Sequence, residues 1–407
     1  MTQANKPRLL VLASTYPRWV GDPEPAFVHA LARDLVGRFD VVALVPHAAG
    51  APVRETMDGI EVQRFRYAPA RFETLVNDGG IMTNLRRAPW KWALVPLFLV
   101  ALAFCTWRAV RVLRPDIVHA HWLIPQGFIA ALLRRWGMMR GPFVVTSHGA
   151  DLFSLRSAPL LMAKRFIARQ AAALTVVSTA MRDALQALGA DRQNVTVQPM
   201  GVDLASRFVP DEETQREPHT LLFVGRLVEK KGLRYLIQAM PRVLAQHPEA
   251  RLVIAGFGPE LEARKAQVQA LGIEGSVRFE GAVAQDALPR LYRQATAFVA
   301  PFVEAASGDQ EGLGLVLVEA LGCGCPVVTT RLPAVREVFG GDWPADAVAP
   351  GDAEALAAAI VRVLDNPQAA ARNAQSQREA LRARFDRRIV AEGYASLFER
   401  CIREARA

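Results

Sequence analysis

Cysteine is scarce in this chain of 407 residues: Cys105, Cys323, Cys325 and Cys401 are too few for a disulfide framework at this size. Cys323 and Cys325 stand too close for a C-x-x-C site, and no histidine cluster accompanies them, so a reducing cytoplasm is the expected setting. Proline and glycine are spread rather than clustered and about half the residues are apolar, which argues for a globular protein without disordered tails. No solenoid repeat is visible. The opening M-T-Q-A-N-K-P-R-L-L-V-L-A-S has too short an apolar run for a signal peptide and reads as a first strand. No aromatic-rich RNA motif or recognition-helix pattern occurs, so nucleic acid is not an expected partner. The net charge of +9 instead fits nucleotide diphosphates, lipid phosphates or an acidic membrane face.

What is present is alternation. Short apolar runs interleave with helical periodicity in both halves, the pattern of an α/β protein with parallel sheets. Strands are expected near 9–13, 41–45, 117–121, 143–146, 174–177 and 195–198, then near 221–224, 252–255, 277–280, 297–300 and 327–329. The length admits two domains with full cores. The polar stretch P-D-E-E-T-Q-R-E-P (210–218) reads as a linker, and the domains are set at 1–205 and 206–387.

The most informative segment runs E-G-L-G-L-V-L-V-E from Glu311 to Glu319 and on into A-L-G-C-G-C-P-V-V. It places two carboxylates around a Gly-rich loop that opens into an apolar helix, with a strand following. A helix N-terminus with unpaired N–H groups suits a phosphate, and Gly312 and Gly314 let a ligand approach the backbone. Read as one helix, the eight-residue spacing puts Glu319 two turns deeper than Glu311. Upstream, Arg226 and Lys231 follow the strand L-L-F-V-G, five residues apart in the turn to the next helix. Such a pair can stabilise charge building on a departing diphosphate.

These segments, with V-I-A-G-F-G-P-E (253–260), V-R-F-E-G-A-V (277–283), Q-P-M-G-V-D (198–203), D-I-V-H-A-H (116–121) and S-H-G-A-D (147–151), resemble glycosyltransferase family 4 in order and spacing. Members of that family are retaining enzymes of the GT-B fold. The resemblance implies two Rossmann-like doubly wound domains facing across a cleft, and a nucleotide-diphosphate sugar as donor. It implies that Arg226 and Lys231 hold the diphosphate, with Gly312, Leu313 and Gly314 offering backbone N–H groups. Glu319 is implied to accept from the ribose hydroxyls, Glu311 to lie beside the donor sugar, and backbone near Gly281 and Val283 to meet the base. His148 matches the family histidine near the transferring carbon. Gly21, in T-Y-P-R-W-V-G-D-P-E-P-A-F (15–27), stands where members often have a glycine near the acceptor, although the common double glycine is absent. The closing stretch 388–407 resembles last helices that cross back to the first domain.

His119 and His121 share one strand face at i, i+2 and line the core or the acceptor side; no third metal ligand declares itself. No D-x-D occurs; Asp309-Gln310-Glu311 is its nearest imitation, so no obligatory metal or other cofactor is expected. Trp90–Leu113 is the most apolar segment, with an uncharged core from Ala93 to Trp107 flanked by Trp90, Trp92, Arg86, Arg87, Lys91, Arg108 and Arg111. That core is short for a bilayer of roughly 30 Å, so it is either an interfacial anchor or a helix packed on the first sheet. If it lies on lipid, Leu97, Phe98 and Leu102 are the residues expected to face it.

The expected function is therefore a retaining hexosyltransferase of cell-surface or exopolysaccharide synthesis. Its expected acceptor is a glycan or polyprenyl-linked glycan, and its place the cytoplasm or the inner membrane face. A nucleotide-sugar epimerase of the same fold and a non-catalytic nucleotide-sugar-binding protein are the alternatives.

Overall fold

The computed structural model describes all residues except 1–5, Pro23, Pro25, Asp78, Gly79 and Glu212. Its contacts divide the chain into one unit of Met1–Met200 with Val390–Ala407 and a second of Gly201–Ile389.

The first unit is built on strands β1 (Arg8–Leu12), β2 (Asp40–Pro46), β3 (Arg54–Met57), β4 (Ile60–Phe65), β5 (Ile117–His121), β6 (Phe143–Ser147), β7 (Ala173–Val176) and β8 (Val195–Val197). They form one sheet in the order β3-β4-β2-β1-β5-β6-β7-β8, parallel except for β3 on β4. The central strands are almost wholly apolar because helices cover both faces, as parallel sheets require. The hairpin β3–β4 was not expected from the sequence. Its strands are half polar because β3 is an edge, and the turn is Asp58-Gly59, both at positive φ.

The helix Leu94–Leu113 packs one face inward, burying Leu94, Phe98, Leu102, Thr106, Ala109 and Val110. The ring of Phe98 lies 5.6 Å from Phe65 and 5.3 Å from Tyr67. This corrects the expectation that Phe98 and Leu102 face outward, since of the three residues only Leu97 is exposed. From Val390 onward the helix Arg387–Arg406 belongs to the first unit, burying Tyr394, Phe398 and Cys401. Arg38 ties it down through Glu392 and Glu399.

The second unit carries β9 (Thr220–Val224), β10 (Arg251–Ala255), β11 (Val277–Gly281), β12 (Ala297–Ala300), β13 (Val327–Thr330) and the two-residue β14 (Ala347–Val348). Their order is β11-β10-β9-β12-β13-β14, all parallel. Helix Leu233–Gln246 buries Leu233, Leu236, Ile237, Met240 and Val243, the i, i+3, i+4 stripe that seats a helix on a sheet. The boundary lies at 200/201 rather than 205/206, because Val202 bonds in both directions with Phe385–Arg387 of the same unit. Nor is 210–218 a free linker. Arg216 fixes it to the second unit by donating to the carbonyls of Ala295 (2.7 Å) and Gly324 (2.6 Å).

Candidate functional site

In the second unit a glycine follows β9 and β10, at 225 and 256, and closes β11 at 281. The three strand ends are stitched edge to edge by Gly225 N–H to Ala255 C=O (3.0 Å) and Gly256 N–H to Gly281 C=O (2.7 Å). A side chain at 256 would meet the Gly225 carbonyl at 1.8 Å, so only glycine lets these ends close up. Val283 follows, half-buried, in the loop after Gly281. Ligands of parallel α/β sheets bind at this carboxyl edge.

The turn after Gly225 carries Arg226 and Lys231 and closes on Gly232, where φ is +69° and a Cβ would fall 1.7 Å from the Pro301 carbonyl. That contact pins the turn to the segment after β12. Val303 N–H donates to Lys230 C=O (2.9 Å), and Lys230 Nζ donates to Asp309 Oδ1 (3.2 Å). Lys231 Nζ meets Glu311 Oε2 at 2.7 Å, both side chains nearly buried, with the Phe302 ring 4.9 Å beneath the ammonium. Burial alone would raise the Glu311 pKa. The charges of Lys231 and Lys230, the Lys231 hydrogen bond and the Gly312 N–H outweigh it and bring the group to about 2. Lys231 and Glu311, read from sequence as a phosphate ligand and a sugar ligand, thus form one ion pair.

Gly312 and Leu313 are buried and Gly314 caps the next helix at φ +84°, where an added Cβ would fall 3.1 Å from the Phe302 ring. The helix runs only from Leu315 to Gly322. Glu311 therefore lies in the loop ahead of it, and Glu319 stands one turn inside rather than two, because Gly312 and Gly314 break the helical run. Glu319 is buried, with Tyr292 Oη donating to Oε2 (3.0 Å) and Gln285 Nε2 to Oε1 (3.4 Å). Burial pushes its pKa up to about 7, against the opposing pull of those hydrogen bonds and of Arg207 and Lys231. Two carboxylates of one loop–helix segment are thereby driven apart, one held ionised and one poised near neutrality. Tyr292, Gln285 and Phe302 carried no sequence signal of their own.

The first unit gathers neutral rings instead. His121 ends β5 and His148 follows β6, the neighbouring strand. Their rings stack at 5.2 Å and 8°, with His121 Nδ1 to His148 Nε2 at 3.0 Å. His119, on the same strand face, lies 4.1 Å from the His121 ring and bonds Thr146 Oγ1 at 2.7 Å. Burial lowers the pKa of His148 and His119 to about 3 and drives that of His121 well down too. All three are neutral at pH 7. Trp122 (5.1 Å) and Phe27 (4.9 Å) wall the His148 ring. The loop that holds it is fixed by Asp151, which accepts from Leu123 N–H, Ser147 Oγ–H and His148 N–H. Lys164 supports the short helix beyond by donating to Leu152 and Leu155 carbonyls. Gly21 sits exposed in the loop after β1 at φ +82°, with open space where a Cβ would stand.

Among the described residues one group could hold a metal ion, His219, His247 and Glu249, with ligand atoms within 4.8 Å of one another. It lies at the amino ends of β9 and β10, opposite the strand ends just described, and His219 and His247 already pair with Glu249 and Asp365.

Two family models cover most of the chain. "Glycosyl transferases group 1" matches 207–380 and "Glycosyltransferase Family 4" matches 26–206. The glycogen synthase of Mycobacterium tuberculosis is 31% identical over 294 residues, 70% of this chain and 69% of that protein. The chain belongs to the family 4 glycosyltransferases. The amylovoran biosynthesis glycosyltransferase AmsK of Erwinia amylovora is 29% identical over 313 residues, 72% of this chain and 75% of its own. Among solved structures, sucrose-phosphate synthase of Thermosynechococcus elongatus superposes with a TM-score of 0.80 at 21% identity, covering 98% of this chain and 100% of that one. HepE of Anabaena, solved with UDP-glucose, gives 0.70 at 18% identity over 97% and 100%. These likenesses place the GT-B fold, and this glycosyltransferase carries its two parallel sheets.

Proposed function

We propose that this glycosyltransferase moves a hexose, with retention, from a nucleotide-diphosphate sugar to a glycan or lipid-linked glycan acceptor in cell-surface polysaccharide synthesis. The observation that carries this reading is the Lys231–Glu311 ion pair, set in a glycine-built shelf with Glu319 on the following helix. HepE, of the same fold, is described with UDP-glucose, which supports a nucleotide-sugar donor.

In this reading the diphosphate lies along the Gly312–Gly314 backbone, where N–H groups and Arg226 meet its oxygens. As the sugar–phosphate bond lengthens, negative charge grows on the leaving oxygen, and Lys231 shifts from Glu311 toward it. The ammonium is held close by and already largely desolvated, so little water has to be reorganised as it exchanges Glu311 for the leaving oxygen. Glu311, ionised at all working pH values, faces the positive charge developing on the sugar. Glu319 accepts from the ribose when ionised. In the first unit the family resemblance assigns the neutral imidazole of His148, backed by His121, to the transferring sugar and Gly21 to the acceptor.

The test is incubation of the purified chain with UDP-, GDP- and ADP-hexoses, with and without oligosaccharide or polyprenyl-linked acceptors, reading the product's anomeric configuration by NMR. A retained linkage formed only with acceptor is expected. Conversion of donor to another sugar in the absence of acceptor would establish the epimerase instead.

A further inference from the structure

The inner face of the helix Leu94–Leu113 is accounted for by the first sheet; the outer face is not. Leu97 (52% exposed), Val100 (69%) and Phe104 (55%) form an i, i+3, i+7 stripe of large apolar side chains open to solvent. The turn Pro89–Ala93 ahead of it exposes Trp90 and Trp92. Contiguous exposed apolar surface of this kind marks an interaction site rather than ordinary surface. Exposed arginines stand at both ends, Arg86 and Arg87 before the stripe and Arg108, Arg111 and Arg114 after it. Lys91 is not among them, being tied to the Thr74 carbonyl and Asn84. No acidic residue occurs from 79 to 115.

We propose that this face is a docking surface for an anionic lipid bilayer, with the helix lying in the interface plane. By length and composition Pro89–Leu113 could cross a membrane. Packing forbids it: Phe98 and Leu102 are fully buried and Phe98 is wedged against Phe65 and Tyr67, so spanning would strip the sheet of its cover. A helix bound on one side offers lipid only the other, to a depth of about 5–10 Å. Tryptophans at one end and arginines at both match the headgroup layer, where amphipathic rings and snorkelling guanidinium groups settle. Trp107 stacks under Arg111 at 5.3 Å, which fits the same layer. Beside the stripe, a cavity of about 210 Å³ is lined by Val53, Arg54, Cys105, Arg108 and Val112, a mixed apolar and cationic lining suited to a lipid phosphate. A second copy of the chain fits less well. A two-fold pairing of this face would bring arginines against arginines with no acid between them.

Full-length protein is floated with vesicles of phosphatidylcholine alone or with phosphatidylglycerol, at low and high salt. Partitioning at least tenfold stronger into the anionic vesicles is expected, weakening with salt. Val100→Asn with Phe104→Asn should reduce it at least tenfold while circular dichroism, thermal midpoint and nucleotide titration stay as in the parent chain. Arg108→Gln with Arg111→Gln, at exposed positions, should weaken binding and flatten its salt dependence, which keeps the test open if the asparagine pair misfolds. Equal flotation on neutral and anionic vesicles, or folded variants that float like the parent, would overturn the proposal. So would a dimer dispersed by the asparagine pair in a chain that never floats.

Discussion

Two clusters sit at equivalent places in the two units, at the carboxyl ends of central parallel strands, and they solve burial in opposite ways. The first unit buries His119 and His121, half-buries His148, and discharges all three: burial depresses each imidazole, and hydrogen bonds to Thr146 and between rings replace charge. The second unit half-buries charge and pairs it, Lys231 on Glu311 and Lys230 on Asp309. Within that unit Glu319 shows the intermediate case, a carboxylate with hydrogen bonds but no cation in contact, and its pKa climbs to about 7. The difference is what each cluster can do next. A neutral pair can orient a hydroxyl without attracting a counter-ion. A paired lysine holds a charge ready for a phosphate at the cost of strong dependence on its partner.

The largest effect should come from breaking the pair. Lys231→Ala is expected to lower transfer about a hundredfold, equivalent to about 2.7 kcal/mol of transition-state stabilisation. It also leaves Glu311 buried without its cation, so the thermal midpoint should fall, and the double change Lys231→Met with Glu311→Gln should recover stability but not turnover. Steady-state kinetics with calorimetric unfolding separates the two losses; recovery of turnover in the double variant would contradict the assignment.

Glu311→Gln alone should depress kcat at least tenfold with donor KM little changed, because its charge matters most as the sugar becomes cationic. A pure KM effect would move Glu311 to ground-state binding.

A smaller effect is expected on the neutral side. His148→Ala should lower kcat several-fold, and the imidazole resonances of His121 and His148 in the parent chain should show no titration between pH 5 and 8. A midpoint near 6.5 by NMR would mean that the cluster is open to water and charged, which breaks the contrast between the units.

The smallest effect is on stability against pH, where the two glutamates have opposite signs. Glu311, depressed to about 2, contributes stability present above the unfolded value near 4.5 and lost as pH falls toward 2. Glu319, raised to about 7, binds more protons folded than unfolded, so its contribution is present below about 4.5 and lost as pH rises through 7. Denaturant titrations of Glu319→Gln should therefore show a flatter dependence between pH 4.5 and 7 than the parent, and Glu311→Gln should differ from the parent mainly below 4.5.

Much of this architecture was legible because central parallel strands are buried on both faces and read as apolar runs; each of the eleven expected strands overlaps one in the structure. The hairpin Arg54–Phe65 escaped because its alternation is half polar, although the Asp58-Gly59 dipeptide was a usable turn signal. The two-residue β14 is too short to carry any periodicity. At the site, Arg226, Lys231, Glu311 and Glu319 could be named from their segments. That Lys231 and Glu311, eighty positions apart, touch could not, since it is the packing of Gly232 against Pro301 and the bonds of Lys230 to Val303 and Asp309 that bring those loops together. The same holds for Tyr292 and Gln285 on Glu319, and for the ring stack of His121 on His148, where sheet order decides which strand ends are neighbours.

The claim at the centre is that paired and unpaired carboxylates of one segment serve different parts of the donor. Calorimetric titration of free nucleoside diphosphate, which lacks the sugar, tests it directly in Glu311→Gln and Glu319→Ala. Glu311→Gln should bind the nucleotide at least as well as the parent, since Lys231 is released to the diphosphate. Glu319→Ala should bind about tenfold more weakly, and parent affinity should itself decline as pH falls through 7. Equal loss in both variants, or the reverse order, would contradict the account.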